Sequence, residues 1–196
     1  MAHQFRVLIT PQFLKPGDDI DRWLREQGCE TVYAPYRGPR DLEELIRLFR
    51  DVDGAIIATD QVSAKVLDAA PRLRVVARPG VGYDSVDIGE ATSRGVAVCN
   101  MPAVNAAAVA ELTMGLMVLC ARQIPRNMDD VRAGSWRRIE GRELNGATLG
   151  LVGLGSIGKA VAALARCFGM TLLAYDKFPD PEYAETHGVT YVEADE

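Results

Sequence analysis

Short apolar segments alternate with amphipathic helical segments along the first hundred residues. The apolar segments are rich in β-branched residues and predict five strands, at 6–10, 31–34, 54–58, 73–77 and 96–99. The segments between them predict four helices, at 19–27, from an N-cap at Asp41 to 50, at 63–70 and at 85–94. Strands that are apolar throughout and alternate with helices favour a parallel sheet covered on both faces. Residues 1–101 therefore form one small α/β domain.

The pattern changes after Pro102. Residues 104–122 predict one long helix that is apolar almost all round, which indicates burial on every side, between domains or between subunits. A polar, arginine-rich stretch follows at 122–143, and the Asn145-Gly146 turn begins a second strand–helix series. Its strands are predicted at 148–153, 171–175 and 189–192, and its helices at 157–168 and 181–187. Because a doubly wound dinucleotide domain needs about six strands, residues 102–196 predict a truncated second domain.

Composition narrows the classes of partner. The chain has 196 residues, of which 48% are hydrophobic and 25% charged, and its net charge of −5 comes without a polybasic run. Neither nucleic acid nor an anionic membrane is expected as a partner, and the apolar stretch 112–121 is shorter than the ~20 residues of a bilayer span.

The N-terminus has no signal-peptide pattern and the four cysteines form no C-x-x-C pair, which favours a cytoplasmic location. With two histidines, His3 and His187, no zinc site is expected.

The strongest local signal is the run Gly153-Leu154-Gly155-Ser156-Ile157-Gly158, which fits the pattern G-x-G-x-x-G. It follows an apolar strand, opens a helix near Ile157, and precedes Asp176, which ends the next strand. In this context the glycines serve a tight turn, close approach of the backbone to a pyrophosphate, and close helix–strand packing. The helix N-terminus favours phosphate. Asp176 would bind ribose hydroxyls and repel a 2′-phosphate, which favours NAD over NADP, and the neighbouring Lys177 weakens that preference slightly.

A second glycine loop lies in the first domain, where Arg78-Pro79-Gly80-Val81-Gly82-Tyr83-Asp84 follows a predicted strand. The carboxyl end of a strand is where open α/β sheets bind ligands. Two interpretations stay open on spacing alone. Successive N–H groups form a nest for a carboxylate, or the loop is a structural turn in which Asp84 caps the following helix.

An ordered set of segments resembles the D-isomer-specific 2-hydroxyacid dehydrogenase family, closest to its phosphoglycerate dehydrogenase branch. These segments are 76–87, 91–95, 100–102, Asn105, 108–111, 144–146 and 153–158. The resemblance implies a flavodoxin-like parallel-sheet substrate domain followed by an incomplete Rossmann NAD-binding domain. It also implies an NAD-dependent oxidoreductase that interconverts a D-2-hydroxy acid and its 2-keto acid by hydride transfer, with a cleft that closes over both ligands.

The resemblance assigns roles to both loops. The loop from Arg78 to Gly82 would contact the substrate, the backbone of Val81 and Gly82 would hold its carboxylate, and Val81 would lie near the nicotinamide. The dinucleotide would be held by the glycine loop and the strand end after it, at Gly153, Gly155, Ser156, Ile157, Gly158, Asp176 and Lys177. The helix 104–122 resembles the family's subunit-contact and hinge region, which implies a homodimer. Glu111 on that helix is interpreted as structural.

Three positions depart from the family pattern. Ser156 stands where many members have arginine, and Ala103 stands where glycine is common. Near Ala58 the chain lacks the arginine with which phosphoglycerate-specific members hold the substrate phosphate. Phosphoglycerate is therefore a doubtful substrate.

The family's acid–base residues are an arginine, a glutamate and a histidine, which the resemblance places beyond Glu196. Neither His3 nor His187 matches the position of that histidine, so no catalytic residue is expected within the chain and no turnover by these residues alone. Two other hypotheses stay open. One is a non-catalytic, dimeric, NAD-sensing binding protein of the same family, and the other is a structural pseudo-enzyme that ends at Glu196.

Overall fold

The computed structural model describes residues 4–35, 38 and 40–195, so that His3 and Glu196 lie outside the described residues. The chain divides into two compact units, Met1–Pro102 and Ala103–Glu196, here called unit 1 and unit 2. The domain boundary predicted from the sequence, between 101 and 102, lies one residue earlier.

Unit 1 is built on a five-stranded parallel sheet. Its strands lie in the order β2-β1-β3-β4-β5, and are β1 (Phe5–Ile9), β2 (Cys29–Tyr33), β3 (Gly54–Ile56), β4 (Val75–Ala77) and β5 (Ala97–Cys99). Pairing aligns Val7 with Thr31 on one side and with Gly54 on the other. This is the flavodoxin-like strand order, and it confirms the predicted parallel α/β fold.

Four helices connect these strands. They are α1 (Asp19–Glu26), α2 (Leu42–Phe49), α3 (Ala64–Asp68) and α4 (Ile88–Ser93). The predicted N-cap at Asp41 is confirmed, because its carboxylate accepts the N–H of Glu44 at 2.7 Å. Leu8, Phe49 and Val76 are fully buried and belong to one apolar cluster, in which the helices pack against the sheet.

The prediction of a helix from residue 85 is wrong at its start. α4 begins at Ile88, and its N-cap is Asp87, which accepts the N–H of Glu90 at 3.1 Å, rather than Asp84. Asp84 and Ser85 lie in a turn, and Val86 forms an isolated parallel bridge with Val62 in the segment after β3. The N–H of Val62 donates to the carbonyl of Ser85 at 2.8 Å, and the N–H of Asp87 donates to the carbonyl of Val62 at 3.0 Å.

Unit 2 contains a three-stranded parallel sheet in the order β6-β7-β8. Its strands are β6 (Thr148–Val152), β7 (Thr171–Tyr175) and β8 (Val189–Tyr191), linked by α7 (Ser156–Cys167) and α8 (Pro181–His187). This βαβαβ arrangement corresponds to one mononucleotide-binding half of a Rossmann domain. α7 packs against the sheet through the buried Val161, Ala162 and Ala165.

Two helices precede this sheet, where the sequence predicted one. The long helix is shorter than expected and is α5 (Ala106–Ala121); α6 (Ile124–Arg132) follows it within the arginine-rich stretch and was not predicted. Gln123 lies between the two helices, and its left-handed backbone, with φ of 50°, interrupts the helical conformation. Pro125 in the first turn of α6 is a start signal that the sequence did contain.

Within this single chain α5 is not buried on every side, and its predicted burial between domains or between subunits stays a prediction. In α5 only Ala110 and Met114 are buried, while Leu112 and Leu116 are 63% and 50% exposed. Within the described chain, no single helix has both the length and the apolar character of a membrane span. α5 and α6 satisfy that test only when taken together, across a bend of 61°.

Candidate functional site

The glycine loop of unit 2 turns the chain sharply from β6 into α7. Gly153 has φ of 100°, in the left-handed region that favours glycine, and its N–H donates to the carbonyl of Tyr175 at 2.7 Å. Leu154 is buried and fixes the loop in the core, whereas Gly155 and Ser156 are exposed. The loop therefore presents backbone to the surface while its base is held firmly.

The other two glycines meet different constraints. A Cβ at Gly158 would lie 2.2 Å from the carbonyl oxygen of Gly153, so that helix and strand approach each other more closely than a side chain allows. A Cβ at Gly155 would meet nothing within 4 Å, and the backbone there is extended, with φ of −71°. The space over Gly155 is open to a ligand, as the motif predicts for close approach of a pyrophosphate.

The first turn of α7 forms the floor of this space. Its first helical hydrogen bond runs from the N–H of Lys159 to the carbonyl of Gly155 at 2.9 Å. The N–H groups of Ser156 and Ile157 therefore have no partner within the helix. Together with the positive end of the helix dipole, they can hold a phosphate group.

Asp176 lies beside this loop at the end of β7. One of its carboxylate oxygens accepts the N–H of Phe178 at 2.8 Å and the other accepts the N–H of Leu154 at 2.6 Å. These two bonds hold the Asp176 pKa below its ordinary value, so the group stays charged. A carboxylate has lone pairs beyond these two and can also accept hydroxyl groups. The ammonium of Lys177 lies 5.7 Å from the ring centroid of Phe178, in a cation–π contact.

The glycine loop of unit 1, residues 78–84, is called the anion loop below. Its carbonyl groups are held from several directions. The Arg78 side chain donates through Nε to the carbonyl of Gly82 at 2.9 Å, Asn100 donates through Nδ2 to the carbonyl of Val81 at 2.8 Å, and the N–H of Met101 donates to the carbonyl of Gly80 at 2.9 Å. No acceptor among the described residues contacts the N–H of Val81 or Gly82. The cap by Asp84 in the second interpretation is wrong, because Asp87 caps α4, and the carboxylate nest stays a prediction.

Comparison with known proteins decides the family. Residues 9–192 match the family model described as D-isomer specific 2-hydroxyacid dehydrogenase, catalytic domain. The chain belongs to this family. The D-3-phosphoglycerate dehydrogenase of Rattus norvegicus is 43% identical over 157 residues, which cover 79% of this chain and 30% of the relative. The glyoxylate reductase of Thermococcus litoralis is 37% identical over 199 residues, which cover 96% of this chain and 59% of the relative.

A solved dehydrogenase of the same fold supports the assignment. The D-lactate dehydrogenase of Aquifex aeolicus, complexed with NAD and lactic acid, matches with a TM-score of 0.82 and 25% identity, over 95% of this chain and 55% of that one. The chain spans between 30% and 59% of the length of the two curated relatives. The resemblance stated from the sequence is confirmed for the dehydrogenase family and its fold, while the roles given to single residues stay predictions.

His187, Glu111 and Ala103 were also singled out from the sequence. His187 stacks on Tyr183 with ring centroids 3.9 Å apart, and its Nδ1 lies 2.9 Å from the Tyr183 carbonyl oxygen. Glu111 is exposed on α5. Ala103, where the dehydrogenase family commonly has glycine, adopts φ of 60°, and this left-handed conformation explains that preference.

Sequence reasoning missed the residues that hold the anion loop and its surroundings. Asn100 was noted only as part of a motif, although an amide directly after an apolar strand is a recognisable signal. Arg40, Asp60 and Thr10, which form a buried polar network at the carboxyl end of the unit 1 sheet, received no role. Thr10 and Asp60 each follow an apolar strand, which was the only available hint.

Proposed function

We propose that this dehydrogenase family member is, or is part of, an NAD-dependent oxidoreductase that interconverts a D-2-hydroxy acid and its 2-keto acid. The observation that carries the proposal is the glycine loop of unit 2. There an open space over Gly155, the N-terminus of α7 and the charged Asp176 occur together. The Aquifex aeolicus D-lactate dehydrogenase, described as complexed with NAD, supports the choice of cofactor.

The glycine loop would hold NAD through backbone and charge. The N–H groups of Ser156 and Ile157 would bind the pyrophosphate, and Asp176 would accept the ribose hydroxyls. A 2′-phosphate would face the Asp176 charge, which favours NAD over NADP. When bound, NAD supplies the hydride acceptor for oxidation of a hydroxy acid, and its reduced form the hydride donor.

The anion loop would hold the substrate carboxylate. The N–H groups of Val81 and Gly82 are available to an anion, and the Arg78 guanidinium adds a positive charge beside them while its Nε keeps the loop in shape. Charge-assisted hydrogen bonds of this kind are among the stronger ones in proteins. The curated relatives are named for phosphoglycerate and for glyoxylate, so the proposed substrate class is small 2-hydroxy and 2-keto acids.

We also propose that residues 1–196 alone bind NAD without turnover. Proton transfer to a keto oxygen needs a positioned acid. His187 is the only histidine within the described residues, and its ring is held against Tyr183 by stacking and by its Nδ1 contact. It is therefore placed as a packing residue of α8.

A homodimer through α5 is part of the same proposal. Leu112 and Leu116 are largely exposed on an apolar helix, and burial against a second copy would remove that surface from water. Replacing both leucines with glutamate should convert a dimer into a monomer in light scattering, and a wild-type monomer would contradict the proposal.

A cytoplasmic location is also part of the proposal. It is supported by three exposed free cysteines, since thiols stay reduced in the cytoplasm; they are Cys99, Cys120 and Cys167.

The activity is tested by the consumption of NADH with glyoxylate, hydroxypyruvate, pyruvate and phosphohydroxypyruvate, using the full gene product. We expect turnover with at least one keto acid, and in reverse the oxidation of D- but not L-2-hydroxy acids. NADPH should be a poor substitute. NADH binding without turnover on any acid would favour the NAD-sensing binding protein, and absence of NADH binding would refute the proposal.

A further inference from the structure

A buried polar network occupies the switch point of the unit 1 sheet. Strand order reverses between β1 and β3, and open α/β sheets commonly bind ligands outside the carboxyl ends of the strands at such a point. In unit 1 that place is filled by Thr10, directly after β1, and Asp60, four residues after β3. These residues are 0% and 2% exposed.

The network joins three segments of unit 1. The Thr10 hydroxyl donates to one oxygen of Asp60, and the Arg40 guanidinium donates to the other. The same hydroxyl accepts the N–H of Ala58 at 2.9 Å, and Arg40 also donates to the carbonyl of Ala34 at 2.5 Å. The ends of β1, β2 and β3 are therefore linked through one carboxylate.

The cost of burying these charges indicates a specific role. The side chains of Arg40 and Asp60 are 6% and 0% exposed, and the desolvation of such a pair can exceed the attraction between its charges. The ion pair at the opposite end of β3 differs, because Asp53 pairs there with Arg72, whose side chain is 54% exposed. Of these two pairs, the one at the carboxyl end has both side chains withdrawn from water.

Backbone hydrogen bonds connect this network to the anion loop. The segment 57–62 donates from Ile57 to the carbonyl of Ala77 at 3.0 Å and from Val62 to the carbonyl of Ser85 at 2.8 Å. Ala77 and Ser85 are the residues immediately before and after the anion loop. Both ends of the loop are therefore held by a segment whose middle is fixed by Thr10 and Asp60.

We propose that Thr10, Arg40 and Asp60 are positioning residues for the anion loop. Their network fixes the segment 57–62, and this segment fixes the separation and direction of the two loop ends, so that the N–H groups of Val81 and Gly82 stay aligned for a carboxylate. The identity of that anion rests on the proposed function, whereas the ordering of the loop does not.

Matched variants of Thr10 test the proposal. Thr10→Val removes the hydroxyl and both of its hydrogen bonds at nearly unchanged volume, whereas Thr10→Ser keeps the hydroxyl. Asp53→Asn serves as a control, because it weakens the Asp53–Arg72 ion pair at the amino end of β3. Amide hydrogen exchange is measured by NMR on the full chain. Exchange at Met101 and Val62, whose N–H groups donate to the carbonyls of Gly80 and Ser85, reports loop order, and exchange in β1 reports global stability.

In Thr10→Val, exchange at Met101 and Val62 should be roughly tenfold faster, beyond any change in β1. Thr10→Ser should restore the wild-type rates, and Asp53→Asn should change β1 and the loop equally. Wild-type loop rates in Thr10→Val, or a loop-specific acceleration in Asp53→Asn, would overturn the proposal.

Oxalate, a planar mimic of a 2-keto acid, provides an independent second readout. Its dissociation constant should rise roughly tenfold in Thr10→Val and return in Thr10→Ser. If oxalate does not bind the wild-type chain, the carboxylate site of the proposed function fails, while the exchange rates still decide whether the network orders the loop.

Discussion

Substitution of Gly158 by alanine tests the close packing of α7 on β6. Alanine is favoured over glycine within a helix by about 1 kcal/mol, so a freely exposed site would be stabilised. Here the added Cβ would lie 2.2 Å from the carbonyl oxygen of Gly153, whereas carbon–oxygen contacts are ordinarily about 3.3 Å or longer. Backbone must therefore move by about 1 Å. Such overpacking costs about 1–3 kcal/mol, toward the upper end because the obstacle is backbone.

The clash thus outweighs helix propensity, and Gly158→Ala should destabilise unit 2 by about 2 kcal/mol. Urea denaturation followed by the NMR amide signals of β7 reports unit 2 separately. Gly155→Ala is the matched control, since its Cβ meets nothing within 4 Å, and it should change stability by less than about 1 kcal/mol. Unchanged or increased stability in Gly158→Ala would refute the packing argument.

Three further variants test separate features. Ala103→Gly should stabilise the chain by about 1 kcal/mol in thermal denaturation, because φ is 60° there; a loss would contradict it. Asp41→Ala should cost about 1 kcal/mol through the lost N-cap of α2, and no change would contradict that role. Backbone donors lower the Asp176 pKa below 3.8, so its stabilisation is complete above pH 3.8 and lost as pH falls through the folded pKa. Asp176→Asn should remove this acid-dependent component, and an unchanged pH profile would refute it.

Elements with a strong local signal could be predicted from the sequence. The strand at 171–175 and the helix at 181–187 have the predicted bounds, because apolar periodicity and Pro181 mark them. Elements whose bounds depend on residues distant in the sequence could not be predicted in this way. The start of α4 was misplaced since pairing with Val62 keeps Val86 extended, and α6 was missed because it buries no side chain among the described residues.

The candidate site likewise has some features that the sequence predicts and others that it does not. The constraints on Gly153 and Gly158 follow from a contiguous motif, and the backbone supports both. The bonds from Arg78 to Gly82 and from Thr10 to Asp60 depend on loop geometry and on contacts between residues 50 positions apart. No local pattern in one sequence contains that information.

Calorimetric titration with NADH tests the central claim, that the glycine loop of unit 2 holds the dinucleotide. We predict one NADH per chain, much weaker binding of NADPH, and affinity at least roughly tenfold lower in Gly155→Ala, whose Cβ would occupy the space for the pyrophosphate without disturbing the fold. Equal NADH affinity in the wild type and in Gly155→Ala would contradict it.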